Sequence, residues 1–380
     1  MNQPEYDDNI YRIADELHIP ERRIMDFSVP VNPLGVSKKV KAEMRKHLKY
    51  LHRYPDSDTK RIRKRLGQFH AVDPETILCG NGSTEIIYLT AKALSPQKVL
   101  VPAPTCSVYE RACRMSGDAK VVRYGLKREQ NFDLDPDEFI RAIAGKLPNA
   151  PSFPDAKGKQ VEMNQSSEPF DMAFLCNPNN PTGRFLEKQA VRKIADAARD
   201  IRCYLVVDEA HIDFNPGNSM TEAVADNPYL FVLRSMSYSY GLAGIRFGYA
   251  VSPIQCIARL RDDKMPWMVN SLAQRAALAA LKDKAYRKES MKVIQREKAY
   301  LEKSFRKLGI AFSPSDANFY LIQTAAASET CRRLRGRGIL VRDFTDFAGL
   351  DSSYMGISVK SHRENTVLIR ELAGILTQGG

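Results

Sequence analysis

The chain has 380 residues, enough to bury the core of one large domain or two ordinary ones. A hydrophobic share of 43% argues against disorder, and no apolar run reaches the length of about 18 residues that a membrane span needs. The net charge of +12 is dispersed among acidic residues, so we predict no nucleic-acid partner and expect attraction of small anions. The polar start and seven scattered cysteines predict a cytoplasmic protein with reduced thiols and no metal site.

Short apolar runs alternate with helical patterns from about residue 75 to 250. This alternation is typical of an α/β fold with a mostly parallel, doubly wound sheet. The candidate strands are 76–79, 98–101, 120–123, 172–176, 204–208, 230–233 and 247–250. Helices are predicted after Ser83, Cys106, Asp135 and Leu186. The segment 149–170 is rich in Pro, Ser and Lys and is predicted to be a surface insertion.

A different pattern begins after residue 250. Helices are predicted over 252–260 and 271–308, followed by alternating strands and helices up to residue 376. We interpret this part as a second, smaller α/β domain. The predicted division is an N-terminal arm with part of the small domain over 1–45, a large domain over 46–275, and a small C-terminal domain over 276–380.

A glycine-rich turn at residues 80–85 follows the first candidate strand and opens a helix. Free N–H groups and the helix dipole favour anions at such a place, and the hydroxyls of Ser83 and Thr84 add donors. An ordinary capped turn explains this short motif equally well.

Two Asn-Pro steps, within residues 177–181, follow another candidate strand. Proline keeps this turn rigid and non-helical, which would fix an asparagine side chain at the end of the sheet. The next strand ends at Asp208, an acid that is expensive to bury without a cationic partner. Asp208 could hold the proton on a pyridine nitrogen or bind Mg²⁺, and the neighbouring motifs favour the pyridine.

The segment 233–248 contains Ser235, Ser237 and Arg246, and carries Tyr238 eight residues before the arginine. Taken in chain order, these motifs resemble fold-type I pyridoxal phosphate (PLP) enzymes of aminotransferase class I/II, over about residues 26 to 376. Within that group the segments look most like threonine-phosphate decarboxylase of cobalamin biosynthesis, and next like histidinol-phosphate aminotransferase. The resemblance implies the PLP-transferase fold type I, a cofactor site in the large domain, and a homodimer.

The resemblance also implies roles for individual residues. The cofactor phosphate would be held by Gly82, Ser83, Thr84, Ser235, Ser237 and Arg246. Asn180 would bond the ring hydroxyl, Asp208 the ring nitrogen, and Tyr54 the phosphate in the neighbouring subunit. A small phosphorylated substrate would face Asn32, Asn318, Arg342 and position 356.

Four positions depart from the family pattern. Tyr238 stands in place of the Schiff-base lysine, and Gly356 in place of the arginine that binds the substrate carboxylate. Cys106 replaces the aromatic residue that stacks on the cofactor, and His211 replaces a tyrosine or phenylalanine. A phenol with a pKa of ~10 donates hydrogen bonds but forms no imine, so we expect non-covalent PLP.

Three interpretations follow for the activity. The chain is a PLP-dependent decarboxylase or aminotransferase with altered chemistry, in which Tyr238 is either natural or introduced. Alternatively, it is a catalytically degenerate PLP-fold protein that binds a ligand or a partner. In the third, another group replaces the lysine: His211 would move the proton, or Lys264 would form the imine. Tyr238 and His211 are the candidate catalytic residues.

Overall fold

The computed structural model describes residues 9–146, 168–345 and 347–377. Residues 149–167 of the predicted surface insertion lie outside the described residues. The strands are β1 (Met25–Asp26), β2 (Ile77–Gly80), β3 (Lys98–Ala103), β4 (Lys120–Gly125), β5 (Met172–Cys176), β6 (Tyr204–Asp208), β7 (Leu230–Ser235), β8 (Gly248–Val251), β9 (Ala311–Phe312), β10 (Phe319–Gln323), β11 (Ile339–Leu340), β12 (Arg342–Asp343) and β13 (Tyr354–Ser358). The α-helices are α1 (Ile10–Leu17), α2 (Lys38–His47), α3 (Lys60–His70), α4 (Gly82–Leu94), α5 (Val108–Ser116), α6 (Pro136–Ile143), α7 (Lys188–Asp200), α8 (Ile254–Asp263), α9 (Ser271–Lys282), α10 (Lys284–Lys307), α11 (Ala327–Arg335) and α12 (His362–Leu376).

Seven strands form the central sheet in the order β2-β8-β7-β6-β5-β3-β4. The strands from β7 to β4 run parallel, and β8 is antiparallel to both of its neighbours. The mostly parallel sheet expected from the sequence is confirmed. Because parallel strands end at the same edge, Cys176 of β5 lies directly beside Asp208 of β6.

Helices cover both faces of this sheet. Val207 of β6 packs into a core that also contains residues of α3, α6, α7 and α9. Its neighbour Val206 packs into a second core that contains residues of α4, α5 and α8. Successive side chains of a strand point to opposite faces, so the two cores show a doubly wound sheet.

A smaller antiparallel sheet has the order β12-β13-β10-β9. Its core includes residues of α10, α11 and α12, together with Phe27, which follows β1. The strand β1 pairs in parallel with β11, so the start of the chain joins this smaller unit. The predicted boundaries at residues 45 and 275 fall inside α2 and α9, and the division into domains stays a prediction.

One predicted element differs from the structure. The single helix expected over 271–308 is two helices, α9 and α10, separated by Asp283. The Asp283 carboxylate accepts a hydrogen bond from the backbone N–H of Tyr286 at 3.4 Å and caps α10, which starts the new helix. None of the helices in the described ranges is both long and apolar enough to span a bilayer.

Candidate active site

A cavity of about 520 Å³ opens at the carboxyl ends of the parallel strands. The polar ends of β5, β6 and β7 reach it, as ligand sites do in open α/β sheets. It brings together twelve residues that the sequence predicts at the site: Ser83, Thr84, Cys106, Asn180, Asp208, His211, Ser235, Ser237, Tyr238, Arg246, Arg342 and Gly356. Residues of both sheets therefore face one space.

One end of the cavity has the features of an anion site. Gly82 begins the 13-residue helix α4 with a φ of +83°, and a Cβ at Gly82 would lie 2.3 Å from Nη2 of Arg246. The Arg246 guanidinium is thus packed against the start of α4, while its Nη1 donates to the carbonyl of Ala243 at 3.1 Å. A guanidinium beside free N–H groups and serine hydroxyls suits a phosphate.

Close packing of β8 holds this end in place. A Cβ at Gly248 would lie 2.3 Å from the backbone nitrogen of Ser83, so the strand approaches the helix to a distance that only glycine permits. Ser235 Oγ accepts from the backbone N–H of Ser237 at 3.2 Å, which fixes the turn that follows β7. The predicted phosphate residues therefore converge through backbone geometry.

Asp208 is buried in the cavity wall. Its Oδ2 accepts a hydrogen bond from the Tyr109 hydroxyl at 2.7 Å, and its Oδ1 accepts one from the backbone N–H of Ala210 at 2.9 Å. Burial raises the pKa of the Asp208 carboxyl, and the two hydrogen bonds act against that rise. A cationic ligand group would stabilise the carboxylate here.

Tyr109 is a site residue that the sequence reasoning missed. Its ring stacks on Phe174 at 4.8 Å and is fully buried. Burial raises the pKa of Tyr109 well above the usual range, so its hydroxyl remains a donor to Asp208. Tyr109 lies three residues after Cys106, in the first turn of α5, but that position alone does not indicate a contact with Asp208.

The three asparagines of the Asn-Pro turn have two different roles. The side chain of Asn177 exchanges two hydrogen bonds with the backbone of Leu186, at 2.9 and 2.8 Å. Asn179 donates to the carbonyl of Pro104 at 2.9 Å. Asn180 is the asparagine of this turn that lines the cavity. Two asparagines therefore hold the turn, and the third faces the ligand space.

Tyr238 and His211 form a stacked pair in the cavity lining, at a place called the reacting end here. Their ring centres are 4.3 Å apart with an interplanar angle of 20°, and Phe319 meets His211 edge-on at 5.0 Å. Burial lowers the pKa of His211 to about 3, so its imidazole is neutral at pH 7. Its Nδ1 is buried and has no hydrogen-bond partner among the described residues. This nitrogen is therefore an unsatisfied polar atom in the wall of the cavity.

No lysine lines this cavity within the described ranges. Lys264, considered as an imine former from the sequence, ends α8 and is half-buried away from the lining. All seven cysteines are free thiols; six are buried, and Cys106 is the half-buried one. The reacting end thus offers a phenol, a neutral imidazole and a thiol.

The small sheet closes the cavity with Arg342 and Gly356. These two residues lie directly opposite each other on β12 and β13. A Cβ at Gly356 would be 2.8 Å from Cε2 of Phe344 and 3.2 Å from Cβ of Arg342. Phe344 therefore occupies the space that a longer side chain at position 356 would need.

Asn32 and Asn318 are predicted to face a substrate, but the structure places both outside the cavity lining. The Asn32 amide donates to the Ser239 carbonyl and to Ser290 Oγ, both at 2.7 Å. The Asn318 amide donates to the carbonyl of Pro30 at 2.6 Å. Both side chains are buried and hold backbone segments, because their amide donors are already used there.

Tyr54 lies outside the lining of the cavity in its own chain. It is 81% exposed, and its ring contacts Trp267 at 5.1 Å. Gly82 also lies just outside the lining but supports Arg246 as described. The remaining predicted residues share the one cavity.

The fold and cavity are those of PLP-transferase fold type I, and comparisons with known proteins identify the family. The chain belongs to the family "Aminotransferase class I and II", whose family model matches residues 22–372. It is 33% identical to threonine-phosphate decarboxylase of Salmonella typhimurium, over 97% of this chain and 96% of that protein. It is also 33% identical to histidinol-phosphate aminotransferase of Caldanaerobacter subterraneus subsp. tengcongensis, over 85% of this chain and 84% of that protein.

A solved structure agrees with this assignment. Histidinol-phosphate aminotransferase from Clostridium acetobutylicum superposes with a TM-score of 0.81 and 26% identity, over 93% of this chain and all of that one. The family resemblance and the fold predicted from the sequence are thereby confirmed. PLP is the cofactor of this family, and the donor set fits it: a cationic phosphate end, a buried acid and a glycine at the close approach.

Proposed function

We propose that this protein binds PLP without a covalent bond to a lysine. It acts on a small phosphorylated amino acid or amine in the manner of threonine-phosphate decarboxylase, with altered chemistry. The supporting observation is the cavity itself, where a phosphate end and a buried acid occur with Tyr238 and no lysine among the described lining residues.

The anchoring residues would hold the cofactor at two places. Arg246, the start of α4 and the serine hydroxyls would bind its phosphate, and Asp208 would accept the hydrogen of the ring N–H. Tyr109 and Ala210 orient the Asp208 carboxylate for that bond. Bound PLP supplies an electron-withdrawing ring that stabilises negative charge beside the substrate amine.

The reacting end would move protons through His211 and Tyr238. The neutral His211 imidazole can accept a proton or a hydrogen bond at Nδ1, which lacks a partner among the described residues. The Tyr238 phenol can donate one. A positioned acid-base group contributes about 10² to 10⁴-fold to a rate, so loss of the lysine leaves a slower reaction than family members achieve.

The substrate end favours an anionic tail. Arg342 reaches the cavity, while Gly356 offers no side chain to a carboxylate. Two relatives carry a phosphorylated substrate in their names, threonine-phosphate and histidinol-phosphate. We expect a phosphorylated amine such as phosphoethanolamine to displace other ligands better than unphosphorylated amino acids, with weaker binding at high salt.

The test is a titration with PLP and with pyridoxal, which lacks the phosphate, followed by borohydride treatment and peptide mapping. We expect PLP to bind much more tightly than pyridoxal, with no lysine peptide modified. Equal affinities would contradict the phosphate end, and a modified lysine would contradict the non-covalent site.

The protein would act as a homodimer. A cluster of exposed apolar side chains supports this proposal, since large exposed patches mark interfaces. It consists of Leu48, Leu51, Tyr54, Met265 and Trp267, each at least half exposed. Sedimentation should show a dimer, and Trp267→Glu should shift it to the monomer. Because Tyr54 would reach the neighbouring subunit's cofactor phosphate, the monomer should also bind PLP more weakly.

A catalytically degenerate protein that only binds a ligand or partner is the second candidate. The observation that favours it is a change at two places: Tyr238 would replace an amine at the reacting end, and Phe344 fills the space beside Gly356 at the substrate end. Incubating PLP-saturated protein with phosphothreonine and phosphoserine separates the two. Release of carbon dioxide or of a keto acid supports the enzyme, and binding without product supports the degenerate protein.

A further inference from the structure

A second cavity of about 370 Å³ lies behind the wall that carries the stacked pair. His211 and Tyr238 line the first cavity, whereas the residues that follow them, 212–213 and 239–240, line the second. The two spaces are therefore separated by the same two chain segments. The second cavity is completed by α3 and α10.

The second cavity combines an apolar part with a charged part. Its apolar and aromatic side chains include Phe69, Ile212, Phe214, Tyr240 and Met291, and its charged side chains are Asp213, Arg234, Arg287 and Lys288. A flat apolar ligand would bury its surface here, which is the usual driving force for binding in such a space. The proposed PLP site is the other cavity, so this lining has no role in the proposed function.

Two guanidinium groups reach the cavity, and they differ in their partners. Arg234 is saturated: it pairs with Glu209 at 3.2 Å and with Asp213 at 2.5 Å. Arg287 takes part in none of the ion pairs found among the described residues, and its buried Nε has no hydrogen-bond partner there. Its guanidinium carbon lies 4.9 Å from the centre of the Phe69 ring. A guanidinium in this state is a receptor for a carboxylate.

A hydroxyl donor completes the recognition set. Tyr240 is buried, and burial raises the pKa of its phenol, so that it keeps its proton. We propose that the second cavity binds a small aromatic carboxylate, whose charge pairs with Arg287 and whose ring packs between Phe69, Phe214 and Met291. This site stands on its own geometry and does not depend on the proposed reaction.

The test is calorimetric titration of the PLP-loaded protein with benzoate, using benzamide and benzylamine as neutral and cationic probes of the same shape. We expect benzoate to bind and the other two to bind more weakly or not at all. Arg287→Met replaces the guanidinium with an unbranched apolar side chain and should weaken benzoate binding at least about tenfold, as loss of a charge-assisted hydrogen bond predicts.

The controls separate this site from the first cavity. Lys292→Met removes an exposed positive charge from the same helix outside the lining and should leave benzoate affinity unchanged. Tyr240→Phe should lower the affinity for benzoate a few-fold. This variant provides an alternative test of the site if Arg287→Met fails to fold. If benzoate affinity falls in Arg342→Met and not in the Arg287 variant, the ligand occupies the first cavity and the proposal is overturned. PLP titration of each variant reports separately on the proposed function.

Discussion

The two ends of the first cavity differ in how they are built. At the phosphate end, Arg246 and the start of α4 are brought together by close backbone contacts that need glycine at positions 82 and 248. At the reacting end, the rings of Tyr238 and His211 stack on each other. The residues proposed to anchor a ligand and those proposed to react with it thus depend on different kinds of contact.

This difference would allow one end to keep the family pattern while the other departs from it, as the proposed function requires. A change at position 238 alters a ring stack and leaves the contact between Gly82 and Arg246 untouched. Binding of PLP and chemistry on its substrate should respond to different substitutions. The following changes test that comparison, from the largest expected effect to the smallest.

Introducing an amine at position 238 should have the largest effect. In Tyr238→Lys we expect PLP to form a covalent bond that borohydride fixes, because the neighbouring phosphate end still positions the cofactor. Mass spectrometry of the reduced protein should show one added cofactor on the peptide with residue 238. Tyr238→Phe, which offers no amine, is the matched control and should show none. If the Tyr238→Lys protein binds PLP but this peptide stays unmodified, position 238 does not face the cofactor.

Removing the charge at the phosphate end should be the next largest effect. Arg246→Met should lower the affinity for PLP by about two orders of magnitude, since hydrogen bonds to charged groups contribute about 1.5–3 kcal/mol each. Pyridoxal, without the phosphate, should bind both forms equally. Arg111→Met changes an exposed arginine of α5 and should bind PLP like the original protein. An unaltered PLP affinity in Arg246→Met would place the phosphate elsewhere.

The buried imidazole should make stability depend on pH. The pKa of His211 is about 3 in the folded protein against 6.5 for an ordinary histidine. Its contribution to stability is therefore fully present above pH 6.5 and is lost as the pH falls towards 3, because the unfolded chain takes up the proton first. The free energy of unfolding should fall by about 1.4 kcal/mol per pH unit from this group.

Urea unfolding between pH 7 and 4.5 measures this dependence. His211→Phe should reduce the slope of the unfolding free energy against pH by the contribution of one proton. His70, whose pKa is also lowered to about 3, still contributes its own share to the slope. Gln130→Ala alters an exposed residue that does not titrate and should leave the slope unchanged. An identical slope in His211→Phe would mean that folding does not lower the pKa of His211.

The smallest effect concerns the substrate end. Gly356→Ala places a methyl 2.8 Å from the Phe344 ring and should lower stability by about 1–3 kcal/mol. Gly244→Ala meets no atom within 4 Å and serves as control. Adding Phe344→Leu to Gly356→Ala should remove part of the loss in a double-mutant cycle. Strict additivity of the two changes would show that the ring does not restrict position 356.

The sequence predicts the sheet and most of the cavity because its signals are local. Strand ends such as Asp208 are read from apolar runs, and parallel strands bring those ends together without further information. Arg246 and Tyr238 are placed by the resemblance of their segment to the family, whereas the sheet and its strand ends need only the chain order and the usual rules of α/β folds.

Contacts between distant segments are what the sequence could not supply. Tyr109 donates to Asp208 across 99 residues, and no local pattern marks that pair. Asn32 has the proline-pinned loop expected of a binding residue, but its amide bonds to Ser239, 207 residues away. Whether a polar side chain faces a ligand or a backbone carbonyl depends on packing that only the structure shows.

The contact between position 356 and Phe344 also limits the order in which substitutions can accumulate. Lysine is smaller than tyrosine, so a single exchange at position 238 can supply an amine. An arginine at position 356 meets more resistance, because its first carbon would lie 2.8 Å from the Phe344 ring. The ring must shift, or position 344 must change to a smaller residue. A mutational path that adds an arginine at position 356 is therefore easier after a change at position 344, whereas a lysine at position 238 does not depend on that order.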